Sequence, residues 1–386
     1  MSGVLAALVT LAALRGTLEA SSRLQLRVRD GAALAGPALD AELDPAVRLD
    51  VRARRWQLAF DYAPRFTRNL LGADPQPSIF QQGGFSARFQ DRRASLSLQE
   101  DAGHGSSSFT ALAADPGAVS GPLYNLSALP RTDTIAYAWS RTGLLGRLVV
   151  QRRWALTLSL EYTLNGGTDA RSRESIPFQT GLRGAIGAEH ALSRRDQLTS
   201  SADAFRSYFS SGWEDTLVQG TVAWRRAWGR TLISTVTGGV GFSTSRDSVT
   251  GESRDEAHPV AAVSVAYTPR ASAIDVGLSV RLSPVIDRLS GQVDERLESV
   301  ASVAWRPSRA LSVEGQLGAA RSVLWDRADA VALVYQGLLV SFRANDLLKL
   351  EGGARGAWTR VRRDDMASLQ WVTFVGVTFT APTLRF

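Results

Sequence analysis

The feature that most constrains this chain is a period-two alternation of apolar and polar side chains, which recurs from residue 45 to the end. In residues 154–164, Trp, Leu and Tyr occupy every second position, and Ala, Thr, Ser and Glu stand between them. Residues 47–51, 274–282 and 348–358 repeat the pattern. Because the side chains of a β-strand point alternately to opposite faces, the alternation predicts strands. No composition shift divides the 386 residues, so one continuous all-β domain is expected.

The apolar faces of these segments carry no charged residue, and this separates a membrane barrel from a soluble sandwich, which alternates as well. An Arg or Lys turned to lipid costs about 2–4 kcal/mol at the bilayer midplane, so a membrane barrel excludes charge this strictly. No run of eighteen apolar residues provides a transmembrane helix. The sequence therefore predicts a transmembrane antiparallel up-and-down β-barrel of the outer membrane. The opposite faces are charged throughout, for example at Arg88, Glu161, Arg183, Asp203, Arg281, Glu298 and Glu314.

Aromatic residues recur at the strand ends, beside short turns that carry arginine. Amphipathic rings settle at the level of the lipid headgroups, and arginines next to them can reach the phosphates of the inner leaflet. Ordinary basic hairpin tips would also explain any single turn, but not their recurrence in the same place. We therefore expect a periplasmic aromatic girdle, formed by Trp56, Trp154, Trp224, Trp228, Tyr267 and Trp305.

The short turns alternate with longer polar connections, as the periplasmic turns and outer loops of such barrels do. The expected outer loops are residues 63–83, 100–133, 165–176, 243–258, 284–295 and 359–367, with briefer ones near 210–215 and 320–328. Together with a first strand around residues 24–29, this division predicts about eighteen strands, and sixteen remain an alternative. An even number returns both chain ends to the periplasmic side.

The N-terminus is predicted to be a secretory signal peptide of residues 1–22, followed by the barrel of residues 23–386. Residues 3–14 form an uninterrupted small and apolar run, which has the length of a signal core and is too short to span a bilayer. Cleavage is expected near Ala20, although Arg15 and Glu19 interrupt the usual pattern. A buried N-terminal helix is the alternative.

Composition excludes several other classes of protein. Of 44 Lys and Arg residues only Lys349 is lysine, and the arginines are spread along the chain, so the net charge of +7 does not indicate a nucleic-acid partner. The chain has no cysteine, which excludes a disulfide scaffold, a thiol enzyme and a Cys-based metal site. We expect no cofactor and no metal. The missing plug and passenger domains argue against a TonB-dependent receptor and an autotransporter.

A barrel of sixteen to eighteen strands leaves an aqueous channel unless something plugs it. The charged inner faces would pass or guide polar or acidic molecules with modest selectivity, or their charges would pair with one another and only stiffen the wall. The residues predicted to line the lumen are Arg48, Arg52, Arg88, Arg183, Arg281, Lys349, Glu351 and Arg355.

Two resemblances bear on the role of the barrel. The segment LDVRARRWQLAFDYAPR at residues 49–65, together with the strand count, resembles barrels encoded by myxobacteria and their relatives. That resemblance implies export of surface polysaccharide with a periplasmic polysaccharide-export protein, for which the arginine-rich turns would be docking sites. The terminal Phe386 after an amphipathic strand is similar to the aromatic ending that the barrel-assembly machinery recognises, although Pro382 departs from the usual alternation.

Two other functions stay open. A structural or adhesive barrel would bind a partner through loops 63–83 and 100–133. A membrane-embedded hydrolase needs a placed histidine beside a nucleophile. The three histidines, His104, His190 and His258, are expected in or beside connections, without zinc spacing and without a neighbouring inward serine. We therefore predict that the chain is not an enzyme.

Overall fold

The computed structural model describes residues 15–30, 37–71, 77–108, 134–269, 273–287, 291–324, 330–362 and 366–386. These residues form one antiparallel sheet, in which each strand pairs with the next along the chain. The sheet is closed, because β1 pairs with β2 on one side and with β19 on the other. The strands are β1 (Arg15–Asp30), β2 (Ala38–Arg52), β3 (Trp56–Tyr62), β4 (Arg65–Leu71), β5 (Ser78–Gln90), β6 (Ala94–Ser108), β7 (Thr134–Gln151), β8 (Trp154–Gly167), β9 (Gln179–Ala191), β10 (Asp196–Phe209), β11 (Trp213–Ala227), β12 (Leu232–Asp247), β13 (Ser253–Tyr267), β14 (Ile274–Ile286), β15 (Val293–Trp305), β16 (Leu311–Ser322), β17 (Val331–Arg343), β18 (Leu348–Val361), β19 (Met366–Thr380) and β20 (Leu384–Arg385).

The barrel has eighteen strands, which confirms the larger of the two predicted counts. Segments β3 and β4 are two halves of one strand, because both pair with β2 and β5 and the register continues across the gap between them. Pro64 lies in that gap, opposite Pro45 of β2. Neither proline has an N–H to donate, so the ladder of hydrogen bonds is interrupted there without a change of register.

The chain end is held against β1. Strand β19 stops at Thr380, Pro382 lies in the break, and the two residues of β20 pair with β1. The Gly16 amide then donates to the Phe386 carbonyl at 2.8 Å. A Cβ on Gly16 would lie 2.2 Å from the Phe386 ring, so the ring packs directly on this glycine. The proline thus ends β19, and the pairing with β1 resumes beyond it with the register shifted by one residue.

The apolar face of the sheet is the outside of the barrel. Residues from strands β7 to β17 line a single cavity, and they lie on the face that carries Arg141, Glu161 and Arg183. Side chains from so many consecutive strands can meet only on the concave face. On the other face, Leu156, Leu158 and Leu160 of β8 are each about half exposed, at 49%, 54% and 48%. The charged face is therefore the lumen, and the apolar face is available to lipid, as predicted.

The two ends of the barrel differ as expected. Short turns join the strands at one end, which by the usual asymmetry of such barrels faces the periplasm. Both the start of β1 and the end of the chain lie at that end, because Gly16 is bonded to Phe386 there. The other end carries the longer connections, including helix α1 (Ala170–Ser175). Asp169 caps this helix by accepting from the Ser172 amide at 2.7 Å, and this hydrogen bond lowers the pKa of Asp169.

The predicted bounds of the outer loops are wrong, because the strands continue further at this end than the apolar alternation does. Residues 63–83 and 243–258 are mostly strand, and the connections shrink to 72–77 and 248–252. Of 100–133, residues 100–108 belong to β6, and 109–133 lie outside the described residues. Beyond the hydrocarbon the outer face turns polar, so hydrophobicity no longer marks the strand. The expectation of a charge-free outer face fails at this end, where Arg68, Arg206, Glu214, Arg246 and Asp255 point outward.

At the N-terminus, residues 15–22 belong to β1 and pair with β2. Cleavage after Ala20 would remove the first six residues of this strand. The boundary between signal peptide and barrel stays a prediction. Within the described part of the chain, no helix has both the length and the apolar character to cross a membrane.

Candidate functional site

At the outer end, β13 and β14 no longer pair with each other, and the tip of the β14–β15 hairpin turns away from the wall. The ladder between these strands runs from Tyr267↔Val276 to Ala261↔Leu282 and stops there. Beyond it, residues 253–260 of β13 pair with β12, and residues 283–286 of β14 pair with β15. We call residues 283–287 and 291–296 the inward hairpin, because they line the lumen cavity or contact the inner face of β10 and β11.

An apolar cluster holds the inward hairpin against the inner face of β10 and β11. Ile286 and Val293 are buried with Phe209, which is the last residue of β10. Phe205 and Trp213 pack around them. Because β12 and β13 lie between β11 and β14, the hairpin crosses the inner face of these two strands. Its tip lies close to the wall, since a Cβ on Gly291 would come within 2.6 Å of the Trp213 Cβ.

A buried polar network ties the hairpin to its own base. The Arg296 guanidinium donates to Asp287 at 2.7 Å and to Asp294 at 2.8 Å. The Ser322 hydroxyl of β16 donates to Asp294 at 2.6 Å and accepts from the Val331 amide at 2.9 Å. The charged side chains are at most 8% exposed. Buried charges are tolerated when they are paired and hydrogen-bonded in this way.

The inward hairpin also covers a serine–histidine pair on the wall. The Ser243 hydroxyl of β12 lies 2.8 Å from His258 Nε2, and the Glu295 carboxylate of the hairpin lies 3.8 Å from His258 Nδ1. The expectation that no histidine stands beside an inward serine is therefore wrong. The expectation that the histidines lie in or beside connections is also wrong, because His104, His190 and His258 all lie within strands. The Glu295 contact is too long for a hydrogen bond, and Ser243 and His258 are only 5% and 3% exposed. Such a buried pair lies beneath the hairpin and is closed to substrate.

Three arginine–carboxylate pairs surround the cavity beneath the hairpin, whose volume is about 620 Å³. Each pair joins neighbouring strands of the wall. The contacts are Arg141 Nε to Glu161 at 2.9 Å, Arg183 Nη2 to Asp203 at 3.0 Å, and Arg281 Nη2 to Glu298 at 2.7 Å. In every pair the arginine is the more exposed side chain, at 53% against 30%, 49% against 9%, and 56% against 29%. The pairs therefore turn their cations to the lumen.

The predicted lumen residues divide between two cavities and the rest of the inner face. Arg183 and Arg281 line the cavity beneath the hairpin, and Arg355 lines a second one of about 490 Å³ on β13 to β19. Arg355 lies 5.9 Å from the Phe374 ring centroid. The others, Arg48, Arg52, Arg88, Lys349 and Glu351, alternate with the apolar outer residues of β2, β5 and β18 and so face inward.

Several of these inward charges pair with one another. Arg52 Nε donates to Asp50 at 2.9 Å, and Lys349 is paired with Glu351. Such pairs agree with the alternative interpretation, in which the lumen charges pair with one another and stiffen the wall. That these residues line a conducting pore stays a prediction.

A denser charge cluster on β1, β2 and β4 was not singled out from the sequence. Arg27 donates to Glu42 at 2.9 Å, Arg29 donates to Asp40 at 2.5 Å, and Arg65 lies 3.5 Å from Glu42. In the sequence, the cluster corresponds to inward basic residues at 23, 27 and 29 of β1 and inward acidic residues at 40, 42 and 44 of β2. The two rows face each other because β1 and β2 are paired. Strand pairing was needed to recognise it. The cluster links β1, β2 and β4 on the inner face.

At the short-turn end, the six aromatic residues predicted as a girdle lie together on the outer surface, at strand ends or, for Trp228, in the turn itself. The Arg226 guanidinium lies 4.5 Å from the Trp228 ring centroid and 5.8 Å from that of Trp224. That the rings lie at headgroup level stays a prediction. The turns between them form an arginine rim of exposed residues, namely Arg54, Arg55, Arg92, Arg93, Arg152, Arg153, Arg194, Arg195, Arg230, Arg306 and Arg309.

A closed barrel of eighteen strands, apolar outside and charged inside, defines an integral protein of the bacterial outer membrane. Within that class, the sequence profile of the EpsX exopolysaccharide export family matches residues 4–383. The chain belongs to this family. No curated protein sequence matches it.

Solved outer-membrane channels share the fold. The barrel is similar to the outer membrane protein OpdK of Pseudomonas aeruginosa, with a TM-score of 0.50 and 10% identity over 96% of this chain and 99% of that chain. It is similar to OccAB4 of Acinetobacter baumannii, with a TM-score of 0.51 and 8% identity over 96% and 98% of the two chains. At such identities the likeness concerns the fold alone.

Proposed function

We propose that this barrel is the outer-membrane pore through which a surface polysaccharide leaves the cell. The observation that carries the proposal is the polar lumen of an eighteen-stranded barrel in a chain of an exopolysaccharide export family. The inward hairpin lies against the inner face of β10 and β11. It occupies the outer end and leaves cavities of about 620 and 490 Å³ along the inner wall.

The pore works with a periplasmic polysaccharide-export protein in this proposal. The arginine rim surrounds the periplasmic mouth, and few acidic residues balance it in the described part of the chain. Asp91 lies 3.6 Å from Arg55, Asp275 accepts from Arg306 at 2.9 Å, and Glu314 lies 3.6 Å from Arg306. A rim of one sign steers and orients a partner of the opposite sign. The expected partner therefore presents an acidic ring. The barrel-assembly machinery would insert the chain, with the segment around Phe386 as its signal.

We infer that the chain exports its cargo without enzymatic chemistry. The Ser243–His258 pair is the arrangement closest to a hydrolytic site, but it lies beneath the inward hairpin. Among the described residues, no group of three His, Asp or Glu side chains is placed to hold a metal ion. Substitution of Ser243 by Ala in purified protein should leave any esterase or lipase background unchanged. A hydrolytic activity that disappears with Ser243 would contradict this inference.

Two experiments test the pore. In planar bilayers, the purified refolded barrel should give discrete conductance steps, and their absence from correctly folded protein would count against a channel. In the bacterium that encodes it, deletion of the gene should abolish surface polysaccharide and leave polymer in the periplasm. Normal surface polysaccharide in the deletion strain would refute the export role.

The rim is tested with charge reversals. Arg152→Glu with Arg153→Glu should reduce export while conductance stays normal. Arg206→Glu with Arg246→Glu, which reverses two arginines on the outer face at the opposite end, is the matched control and should leave export intact. If both pairs behave alike, the rim does not dock a partner. Loss of partner binding in a barrel that exports normally would instead favour an adhesive role.

A further inference from the structure

We propose that the cargo is anionic, and that its carboxylate or phosphate groups bind in turn to Arg141, Arg183 and Arg281 in the cavity beneath the inward hairpin. The inference rests on the proposed export function and adds the chemical class of the substrate. It follows from the geometry of these arginines, each of which is hydrogen-bonded to an acid of the wall and has its side chain about half exposed in the lumen.

The first step is the asymmetry of the three pairs. Each acid is less exposed than its arginine. Asp203 is the most buried of the three, and it accepts from Arg183 on one oxygen and from the Gln219 amide on the other, at 3.0 and 2.8 Å. Its acceptors are therefore engaged on the wall side. A solute in the lumen meets guanidinium groups first, although each pair is neutral as a whole.

The second step is the number of donors left over. A guanidinium carries five N–H donors. In the bonds that the structure describes, Arg183 and Arg281 each use Nη2 alone toward their acid, and Arg141 uses Nε and Nη2. The three side chains line the cavity and are 53%, 49% and 56% exposed, so the remaining edge of each guanidinium is available to a solute. Such an edge matches a carboxylate or a phosphate, which can accept two parallel hydrogen bonds from it.

The third step is the apolar surface beside these cations. Phe205 and Tyr335 line the same cavity as the three arginines. Aromatic rings offer flat apolar faces to the C–H faces of sugar rings, and a few polar groups placed among them fix the orientation of a ligand. Rings and guanidinium groups together fit an acidic sugar better than a simple ion. The arginine rim at the other mouth would raise the local concentration of such a polymer.

Ion selectivity in planar bilayers provides the first test, with the full mature chain. In a salt gradient, the wild-type barrel should prefer anions by at least about threefold. The triple variant Arg141→Gln, Arg183→Gln, Arg281→Gln should lose this preference or reverse it, because Glu161, Asp203 and Glu298 remain. The matched control removes three arginines from the outer face: Arg68→Gln, Arg206→Gln and Arg246→Gln. Its selectivity should equal that of the wild type.

Current block by oligosaccharides tests the substrate class. Tetragalacturonate should block the wild-type current at a concentration at least about tenfold lower than maltotetraose. Maltotetraose with a terminal phosphate distinguishes phosphate from carboxylate recognition. In the triple variant the advantage of both acidic probes should disappear, whereas the control variant should retain it.

The outcomes separate this inference from the proposed function. A conducting barrel without anion preference, or one that the acidic and neutral probes block equally, overturns the anionic cargo and leaves the pore. A barrel that folds but does not conduct overturns the pore, and binding of fluorescent tetragalacturonate to the detergent-solubilised protein then decides on the site. Binding that the triple variant retains, or that the wild type lacks, overturns the site.

Discussion

Substitution of Arg296 by Met should release the inward hairpin and enlarge the channel. The Arg296 side chain is 8% exposed and is bonded to Asp287 and Asp294, which are 3% and 8% exposed. Without the guanidinium both carboxylates stay buried and lose this partner. Breaking a buried pair in this way costs about 3–5 kcal/mol. The strand ladders of the wall do not depend on Arg296, so the cost falls on the hairpin.

The size of the effect follows from that free energy. A loss of about 3 kcal/mol changes the ratio of inward to released hairpin by roughly 100-fold, since each 1.4 kcal/mol is a factor of ten. Single-channel recordings should therefore show a larger main conductance level for Arg296→Met, with long openings in place of brief ones. Heat-modifiable mobility in gels checks that the barrel itself is folded.

Two further variants make the result decisive. Arg254→Met removes a half-exposed arginine, 45% exposed and paired with Glu256, and such pairs contribute about 0–1 kcal/mol, so its conductance should stay at the wild-type level. Adding Asp287→Asn and Asp294→Asn to Arg296→Met removes the stranded charges and should bring the conductance part of the way back. An Arg296→Met barrel that is folded and conducts like the wild type would refute the role assigned to the network.

Three other predictions concern the lipid face, the chain start and the outer connections. Leu158→Arg should lower the free energy of unfolding in lipid vesicles by about 2–4 kcal/mol, whereas Ser159→Arg, one residue along and facing the lumen, should change it by much less, as urea titrations would show. Mass spectrometry of the mature protein should find an N-terminus near residue 21; a start before residue 15 would place the whole of β1 in the barrel. The lowered pKa of Asp169 means that its capping of α1 is complete above the ordinary carboxyl range and is lost as the pH falls through the lowered value, so pepsin should cut residues 168–178 faster at the lowest pH.

The faces of the strands were predictable from sequence because lipid imposes a strict local rule. Every second residue of a spanning segment must be apolar, and no distant contact is needed to recognise it. Residues 154–164 and 274–282 therefore have the predicted faces, and the first strand around residues 24–29 is confirmed as part of β1. The strand count followed from the same rule together with the turns between segments.

The strand ends at the outer side were not predictable in the same way. Outside the hydrocarbon both faces of the wall are wet, so residues such as Arg206 and Glu214 stand on the outer face of strands that look like loops in sequence. His258 was assigned to a connection for this reason, although it lies in the middle of the β12–β13 ladder. Backbone pairing continues where the pattern of hydrophobicity has ended.

The inward hairpin was missed because its contacts are distant in the chain. Ile286 and Val293 pack on Phe209, which precedes them by more than seventy residues. Their immediate neighbours include Asp287 and Asp294, a mixture that is typical of a polar outer loop. Only the closed barrel brings the inner face of β10 within reach of β14. A local pattern cannot indicate which loop turns inward.

The two interpretations of the lumen charges, a stiffened wall or a guide for acidic cargo, are compatible in this barrel. An ion pair that lies flat on the wall serves both purposes when its acid is the buried partner, since the pairing fixes the arginine in place and leaves one edge of it to the lumen. Arg296 lines the same cavity as Arg183 and Arg281, so a polymer that binds these arginines lies directly beneath the inward hairpin. We expect small ions to pass beside the hairpin and a chain of sugar rings to need it to move. Release of the hairpin should therefore raise the flux of tetragalacturonate by a larger factor than it raises the conductance of salt. Equal factors for both would mean that the hairpin does not limit the passage of cargo.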